Sequence, residues 1–279
     1  MSGIKQFLQD IQIAIRDNRI TLPTLPEVAL KVRDALEQDN ISASKISEII
    51  STDAAISARL LQVANSPLYR ASSEIENVHM AVTRMGMRLV KDLVTGLAMR
   101  QMFQATSDTL DQMFRDTWKE SVDVAALSRV LCSNTPHLDK EQAMLAGLIH
   151  NVGALPILTY AEQQDGELCH NPAMLEQYIA VLSPLISKSI LQKWKFPDYL
   201  LNVAVNCRNM DYDGGPQADY VDIVQVARLE LLQTQPGAQE LDLSSVPSFQ
   251  KLGMASDVQV IELEDVAEEF EEVKGMLGS

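Results

Sequence analysis

The stretch T-D-A-A-I-S-A-R-L-L-Q-V-A-N-S-P, residues 52–67, decides the fold, because it predicts one short helix with a defined start and a defined end. Thr52 is the expected N-terminal cap, and the negative charge of Asp53 favours the same end of the helix. Pro67 cannot continue a helix, so it marks the exit. The stretch is therefore a helix of about three turns between two loops.

Small aliphatic side chains suit the packing of such helices against one another. In the same stretch Ala58, Leu61 and Ala64 are spaced to share one face, where small residues let a second helix approach closely. Of the 279 residues in the chain, 46% are hydrophobic and only 5% are aromatic. Cores built from aliphatic side chains are typical of helix bundles, so this composition favours an all-α fold.

Helical periodicity also dominates on both sides of that stretch, and no strand-like alternation persists for long. The one strand-like run, residues 259–263, is short. Further helices are predicted over residues 4–16, 27–38, 45–51, 77–104, 108–131, 140–160, 220–233 and 261–276. The prediction is an all-α, HD-domain-like multi-helix bundle in two packed lobes, residues 1–107 and 108–279, joined near residues 104–109.

Individual residues predict where some of these helices begin and end. Ser42 or Ser44 is the expected cap of the helix over residues 45–51. Pro156 predicts a kink or an end in the 140–160 helix, while Pro172 and Pro184 suit helix starts.

The charge of the chain excludes several classes of function. The formal net charge is -15 and the sequence pI is about 4.6. Nucleic-acid binding needs a Lys/Arg surface, and adhesion to anionic membranes needs basic clusters, so neither partner is expected. Three cysteines without a C-x-x-C pair do not predict a disulfide framework or a zinc ribbon. With no signal-peptide pattern at the start, a soluble cytoplasmic protein is expected.

An ordered set of motifs resembles the HDOD family, the relatives of HD phosphohydrolases found in bacterial signalling proteins. The set comprises L-P-x-L-P at 22–26, D-x-A-x-x-A-R-L-L-x-x-A-N-S at 53–66, M-G-x-R-x-x-x-x-L at 85–93, G-L-I-H-N-V-G at 147–153 and W-K-F-P at 194–197. The resemblance covers most of residues 20–232. Its motif residues in this chain are Asp53, Arg59, Asn65, Ser66, Trp194 and Pro197.

The resemblance also implies where a metal site would lie. HD phosphohydrolases hold a divalent metal with a His, an adjacent His-Asp pair and a later Asp, and the metal activates water against a phosphoester. In this chain the corresponding positions, including two further histidine positions, are Glu120, His150, Asn151, Ser183, Cys207 (or its neighbour Asn206) and Arg228. A neutral amide and a permanently charged guanidinium are poor replacements for carboxylate ligands. We therefore expect no metal, no other cofactor and no catalytic residues.

No other pattern in the sequence rebuilds a catalytic site. His79 and His137 share no ligand spacing with His150, and the adjacent pair Cys169 and His170 is better explained as a surface pair than as a metal site. For His150 itself, a satisfied and partly buried histidine is the favoured interpretation. No nucleophile motif and no glycine-rich phosphate loop is present.

Other motif residues have structural interpretations. Asn65 and Ser66 are expected to close a helix end, and Arg59 to lie along an acidic neighbour or a carbonyl-rich helix end. The acidic helix over residues 261–276 either docks a basic partner or covers the core with Val266 and Phe270. We favour the second interpretation, with Glu268, Glu269, Glu271 and Glu272 facing water.

Two functional hypotheses follow. The first is a non-enzymatic regulatory HDOD module of bacterial signal transduction, acting through contacts with signalling proteins or through a degenerate ligand pocket. In that pocket Arg228 would bind a small anionic or phosphate-bearing ligand without cleaving it. The second is a residual metal-dependent phosphohydrolase that acts on a nucleotide or a signalling phosphoester and uses Glu120 and His150. A phosphohydrolase name earned by fold resemblance alone would not decide between them.

Overall fold

The computed structural model describes residues 2–17, 19–38, 40–69, 73–103, 110–164, 168, 171–235, 242–254 and 264–278. Of the described residues, 71% are helical and none forms a strand, so the all-α prediction is confirmed. The helices are α1 (Ser2–Arg16), α2 (Glu27–Leu36), α3 (Ala43–Ile50), α4 (Ala54–Ala64), α5 (Val78–Met85), α6 (Met87–Met99), α7 (Asp111–Cys132), α8 (Lys140–Ile149), α9 (Ala154–Gln164), α10 (Pro172–Lys193), α11 (Asp198–Asn206), α12 (Tyr220–Gln233), α13 (Pro247–Lys251) and α14 (Glu264–Leu277).

Helix α4 has its N-terminal cap one residue later than predicted, at Asp53 instead of Thr52. The Asp53 carboxylate accepts the backbone N–H of Ile56 at 3.0 Å, so Asp53 is the cap. The Thr52 hydroxyl instead donates to the Ile49 carbonyl at 2.7 Å and closes α3. The aspartate both accepts the free N–H and adds favourable charge, whereas threonine at the preceding position serves the helix before it.

The packed face of α4 also differs from the prediction. Its buried residues are Ile56, Leu60, Val63 and Ala64. Ala58 is exposed, and Leu61 is only partly buried. The larger aliphatic side chains turn inward because they bury more apolar area than an alanine face does, so the prediction held only for Ala64.

Three predicted boundaries change for local reasons. Gly86 adopts a φ of +86°, which a helix cannot contain, and it divides the predicted 77–104 helix into α5 and α6. Residues 150–153 form a turn that divides the predicted 140–160 helix into α8 and α9, and Pro156 lies in the first turn of α9. Pro184 lies inside α10 rather than at a helix start, because buried residues on both sides continue one packed face.

Helices α7 and α8 form the centre of the bundle and cross at very short range. A Cβ atom built on Gly147 of α8 would lie 2.7 Å from the backbone Cα of Ala125 on α7. Residues Lys140–Gln164 are apolar and long enough to span a membrane by composition, but 94% of their most apolar window is buried inside the protein. Burial of this extent is what a core helix shows.

Two family motifs meet where the N-terminal part contacts the C-terminal part. The Trp194 indole donates from Nε1 to the Pro23 carbonyl at 3.1 Å, and the Arg33 guanidinium donates to the Trp194 carbonyl. Pro197 then caps α11. Buried side chains from both parts belong to one continuous core. The division into lobes at 1–107 and 108–279 stays a prediction, since residues 104–109 lie outside the described part of the chain.

The C-terminal helix α14 covers the core, but with a different set of contacts from the one predicted. Phe270, Val273 and Leu277 are its buried residues, while Val266 is only partly buried. Glu268 and Glu271 are exposed, as predicted.

Two of the acidic residues on α14 do not simply face water. Glu269 pairs with the Arg129 guanidinium of α7. Glu272 accepts the backbone N–H of Leu68, just after α4, at 2.6 Å. The prediction for these two side chains was wrong, because tertiary packing places a cation and a free N–H beside them.

Candidate functional site

Five helices bring together the positions at which the sequence predicts a lost metal site. Their side chains stand on α7, on the turns that follow α8 and α11, and on α10 and α12; they are Glu120, His150, Asn151, Ser183, Cys207 and Arg228. His150 and Asn151 end α8 at the turn before α9. The six residues interact as three pairs, and each pair has its own chemistry.

The first pair is His150 with Glu120. The imidazole is buried, and its Nδ1 lies 2.6 Å from the Gly147 carbonyl oxygen. A carbonyl can only accept, so Nδ1 carries the proton of the neutral ring and Nε2 carries a lone pair. That Nε2 lies 3.9 Å from Glu120 Oε1 and has no hydrogen-bond partner. His150 is therefore more deeply buried than predicted, and it is satisfied at only one of its two nitrogens.

The electrostatics of this pair keep a negative charge on the glutamate. Burial opposes ionisation, yet the contact with His150 and the charges of Arg208 and Arg228 lower the pKa of the Glu120 carboxyl to about 2. Burial also lowers the pKa of His150, and the nearby carboxylate only partly offsets that effect. At neutral pH the pair is thus a carboxylate beside a neutral imidazole.

The second pair is Asn151 with Ser183. The Ser183 hydroxyl donates to Asn151 Oδ1 at 2.6 Å, and both residues are buried. Two residues further on, the backbone N–H of Gly153 donates to the Ser187 hydroxyl at 2.8 Å. These bonds fasten the turn after α8 onto α10. The amide oxygen that would replace a carboxylate ligand is already engaged in that structural contact.

The third pair is Arg228 with Cys207. The Arg228 guanidinium donates to the Cys207 carbonyl at 3.1 Å, while its buried Nε has no hydrogen-bond partner. The Cys207 side chain is buried, and burial raises the pKa of its thiol, so the chain contributes a carbonyl and not a thiolate here.

Arg208 completes the site and was missed by the sequence analysis. Its guanidinium lies 3.8 Å from Glu120 Oε1, and its side chain is 22% exposed. Burial and the neighbouring Arg228 charge both lower the pKa of Arg208. The available signal was its position directly after Cys207, but only the tertiary packing that brings the end of α11 near Glu120 shows which way it points.

A divalent metal does not fit this arrangement. At the two positions where the resemblance implies carboxylates, Arg228 is a guanidinium with Arg208 close by, and the Asn151 oxygen is occupied by Ser183. Within the described ranges, no group of three or more His, Cys, Asp or Glu residues could hold a metal ion. Glu120 and His150 alone give one carboxylate and one imidazole, fewer than the three protein ligands of a catalytic site.

The other family-motif residues lie away from this site. Asn65 donates from Nδ2 to the Leu61 and Ile75 carbonyls, and its Oδ1 accepts the N–H of Ile75 at 2.8 Å. These bonds close the end of α4, which is what a structural role requires. The Ser66 hydroxyl lies 3.5 Å from the Met276 sulfur on α14. Arg59 is placed near the C-terminal end of α14, beside Gly278.

The remaining histidines are not part of the site. His79 Nδ1 lies 3.4 Å from the Ser47 hydroxyl, and His137 Nε2 lies 2.9 Å from the Ala218 carbonyl. Both therefore make structural contacts with other parts of the fold. Cys169 and His170 lie outside the described residues.

Comparisons with known proteins agree with this fold and with the motifs. The sequence model of the HDOD domain family matches residues 22–209. A crystal structure from Shewanella amazonensis SB2B, of a protein with the provisional name metal-dependent phosphohydrolase, superimposes with a TM-score of 0.85 at 30% identity, over 99% of this chain and 100% of that one.

More distant relatives share the fold. A crystal structure of an HDOD domain protein of unknown function from Geobacter sulfurreducens gives a TM-score of 0.68 at 18% identity, over 98% of this chain and 99% of that one. A protein from Marinobacter aquaeolei VT8, provisionally named a signal transduction protein, gives 0.69 at 21% identity, over 100% of this chain and 66% of that one.

One curated relative, an uncharacterised protein of Treponema pallidum (strain Nichols), is 23% identical over 197 residues. Those residues are 68% of this chain and 38% of the relative, so the chain spans about two-fifths of that protein's length.

Proposed function

The chain belongs to the HDOD domain family, and on that premise we propose that it is a non-enzymatic regulatory module of bacterial signal transduction. It acts in the cytoplasm through contacts with signalling proteins, and its degenerate site binds rather than cleaves. The name of the Marinobacter aquaeolei relative supports the signalling assignment. The mechanism we propose is a change in how the two lobes pack, biased by a partner or by a small bound anion.

One observation carries the proposal, namely the inversion of charge in the site. Metal-dependent hydrolysis needs anionic ligands that hold a cation against the phosphoester. The resemblance implies that Asn151 and Arg228 stand at the positions of two such ligands; Asn151 is bonded to Ser183, and Arg228 to the Cys207 carbonyl. A guanidinium group keeps its charge at any physiological pH, so it repels a metal at all times. The site therefore lacks the means to bring a metal-bound water to a substrate.

The second candidate is a metal-dependent phosphohydrolase that works with a reduced ligand set. It is favoured by the name of the Shewanella amazonensis relative and by the closeness of Glu120 to His150, at 3.9 Å. In this candidate Glu120 and His150 would hold the metal, which would supply an activated water. Arg208 and Arg228 would then bind the phosphate of the substrate.

Metal content and hydrolysis separate the two candidates. We expect the purified protein to contain no stoichiometric Mn, Fe, Co, Ni or Zn by elemental mass spectrometry, and to hydrolyse no nucleotide or model phosphoester after incubation with those metals. The double variant Asn151→Asp, Arg228→Asp restores two carboxylates, and we expect it to bind a divalent metal at least about tenfold more tightly than the unmodified protein.

Glu120→Ala serves as the control for a residual activity. If the unmodified protein carries stoichiometric metal and loses a phosphatase activity in Glu120→Ala, the second candidate is correct and the non-enzymatic proposal is wrong.

A further inference from the structure

The charges of the degenerate site do not balance. Arg208 and Arg228 bring two positive charges, and Glu120 brings one negative charge. In the described part of the chain, Arg228 has no carboxylate within 4.0 Å. Positive charges that are partly removed from water need an anion or several hydrogen bonds to compensate the lost hydration. The site is thus short of one negative charge.

Hydrogen-bond donors in the site are also available. The Glu120 carboxylate oxygen lies 3.8 Å from the Arg208 guanidinium, which is beyond hydrogen-bond distance. Arg228 uses one terminal nitrogen on the Cys207 carbonyl, and its buried Nε has no partner. Two neighbouring guanidinium groups with unused N–H groups suit an oxyanion, because the planar fork of each matches two oxygens of a phosphate.

We infer that this site binds a phosphate-type oxyanion, held by Arg208 and Arg228 at the position where the catalytic relatives hold their metal. The inference rests on the proposed function, because it requires that no metal occupies the site. The ligand is either inorganic phosphate or the terminal phosphate of a small ester. The Glu120 side chain borders the site and is 41% exposed, so a ligand can enter beside it. The negative charge of Glu120 limits the affinity for an anion.

Titration calorimetry with inorganic phosphate in a Tris and sodium chloride buffer tests the inference, and adenosine monophosphate forms a second arm. Saturable binding of phosphate at a stoichiometry near one supports it. Tighter binding of the nucleotide identifies the ester as the ligand, and tighter binding of phosphate identifies the free anion; both results support the shared chemistry. Absence of saturable binding in both arms at millimolar concentrations overturns it.

Substitutions test whether Arg208 and Arg228 are the side chains that bind the phosphate. Arg208→Gln and Arg228→Gln should each weaken phosphate binding by about tenfold or more, since each removes a charged hydrogen bond. Glu120→Gln should strengthen it by at least about fivefold, because it removes a repelling charge. Arg115→Gln is the matched control: this exposed arginine lies on the same helix as Glu120 and pairs with Asp111, so phosphate binding should not change.

The folding of each variant is checked by its melting temperature. Should Arg228→Gln unfold, Arg208→Gln, whose side chain is less engaged with the backbone, still decides the question. Unchanged phosphate affinity in Arg208→Gln would show that the anion binds elsewhere. A metal-dependent hydrolysis of phosphoesters would instead contradict the proposed function, so the two failures are distinguishable.

Discussion

Replacing Gly153 by alanine is expected to destabilise the protein by about 3 kcal/mol, at the upper end of what overpacking costs. A Cβ atom at this position would lie 2.3 Å from the Ser183 carbonyl oxygen, 2.6 Å from the Ser187 backbone nitrogen and 2.7 Å from the Ser187 hydroxyl. Two of these three atoms belong to the backbone of α10, so no side-chain rotation relieves the clash. The turn after α8 must move away from α10 to accept the methyl group.

That movement should also disturb the degenerate site. It breaks the bond from the Gly153 N–H to Ser187 and stretches the one between Ser183 and Asn151, both of which fasten the site's central turn. Urea denaturation followed by circular dichroism measures the loss of stability.

Gly275→Ala is the matched control for this prediction. Gly275 lies within α14, and a Cβ there meets nothing within 4 Å, so we expect a gain of roughly 0.5–1 kcal/mol from the lower entropy of the unfolded chain. Equal effects of the two substitutions would show that α10 does not approach Gly153 as closely as the structure has it.

Replacing Arg129 by leucine is expected to cost about 3–5 kcal/mol, because it leaves two acidic groups without their cation. Arg129 is buried on α7; its guanidinium lies 3.0 Å from Glu141 of α8 and also pairs with Glu269 of α14. Glu141 in turn accepts the Tyr69 hydroxyl at 2.5 Å. One arginine therefore joins the central helices to the C-terminal helix and to the loop after α4.

Neutralising Glu141 and Glu269, which lose their cation in Arg129→Leu, tests this explanation. The triple variant Arg129→Leu, Glu141→Gln, Glu269→Gln should recover more than half of the lost stability, since the uncompensated charges are gone. Arg115→Leu removes an exposed arginine whose pair with Asp111 is on the surface, and it should cost less than about 1 kcal/mol. If the triple variant is no more stable than the single one, lost packing rather than unpaired charge explains the effect.

Much of the fold was predictable because its determinants are local. The periodicity of apolar residues predicted the positions of most helices, and the Ser42 cap, which accepts the N–H of Lys45, is an interaction within one turn. The errors fell where a local pattern had two solutions. Thr52 and Asp53 can both cap a helix, and Pro184 can begin a helix or lie inside one, so only the packing of the neighbouring helices chooses between them.

The candidate site was predictable in its members but not in its chemistry. The ordered motifs predicted that Glu120, His150 and Asn151 belong to one site, and in the structure these residues lie close together. The motifs could not show that Glu269 turns to Arg129, or that Arg208 turns to Glu120. Such contacts join residues far apart in the chain, and no periodicity encodes them.

The sequence by itself determined that this chain is a helical bundle of the HDOD family, and it predicted that other residues replace the metal ligands, because helix periodicity and side-chain identity are local properties of the sequence. Only the tertiary structure decided what the replacements form. It places Arg208 beside Arg228, leaves His150 with a lone pair on Nε2, and sets one carboxylate against two guanidinium groups. A balance of charges is a property of distances in space, and those distances exist only once α7, α8 and α12 have packed.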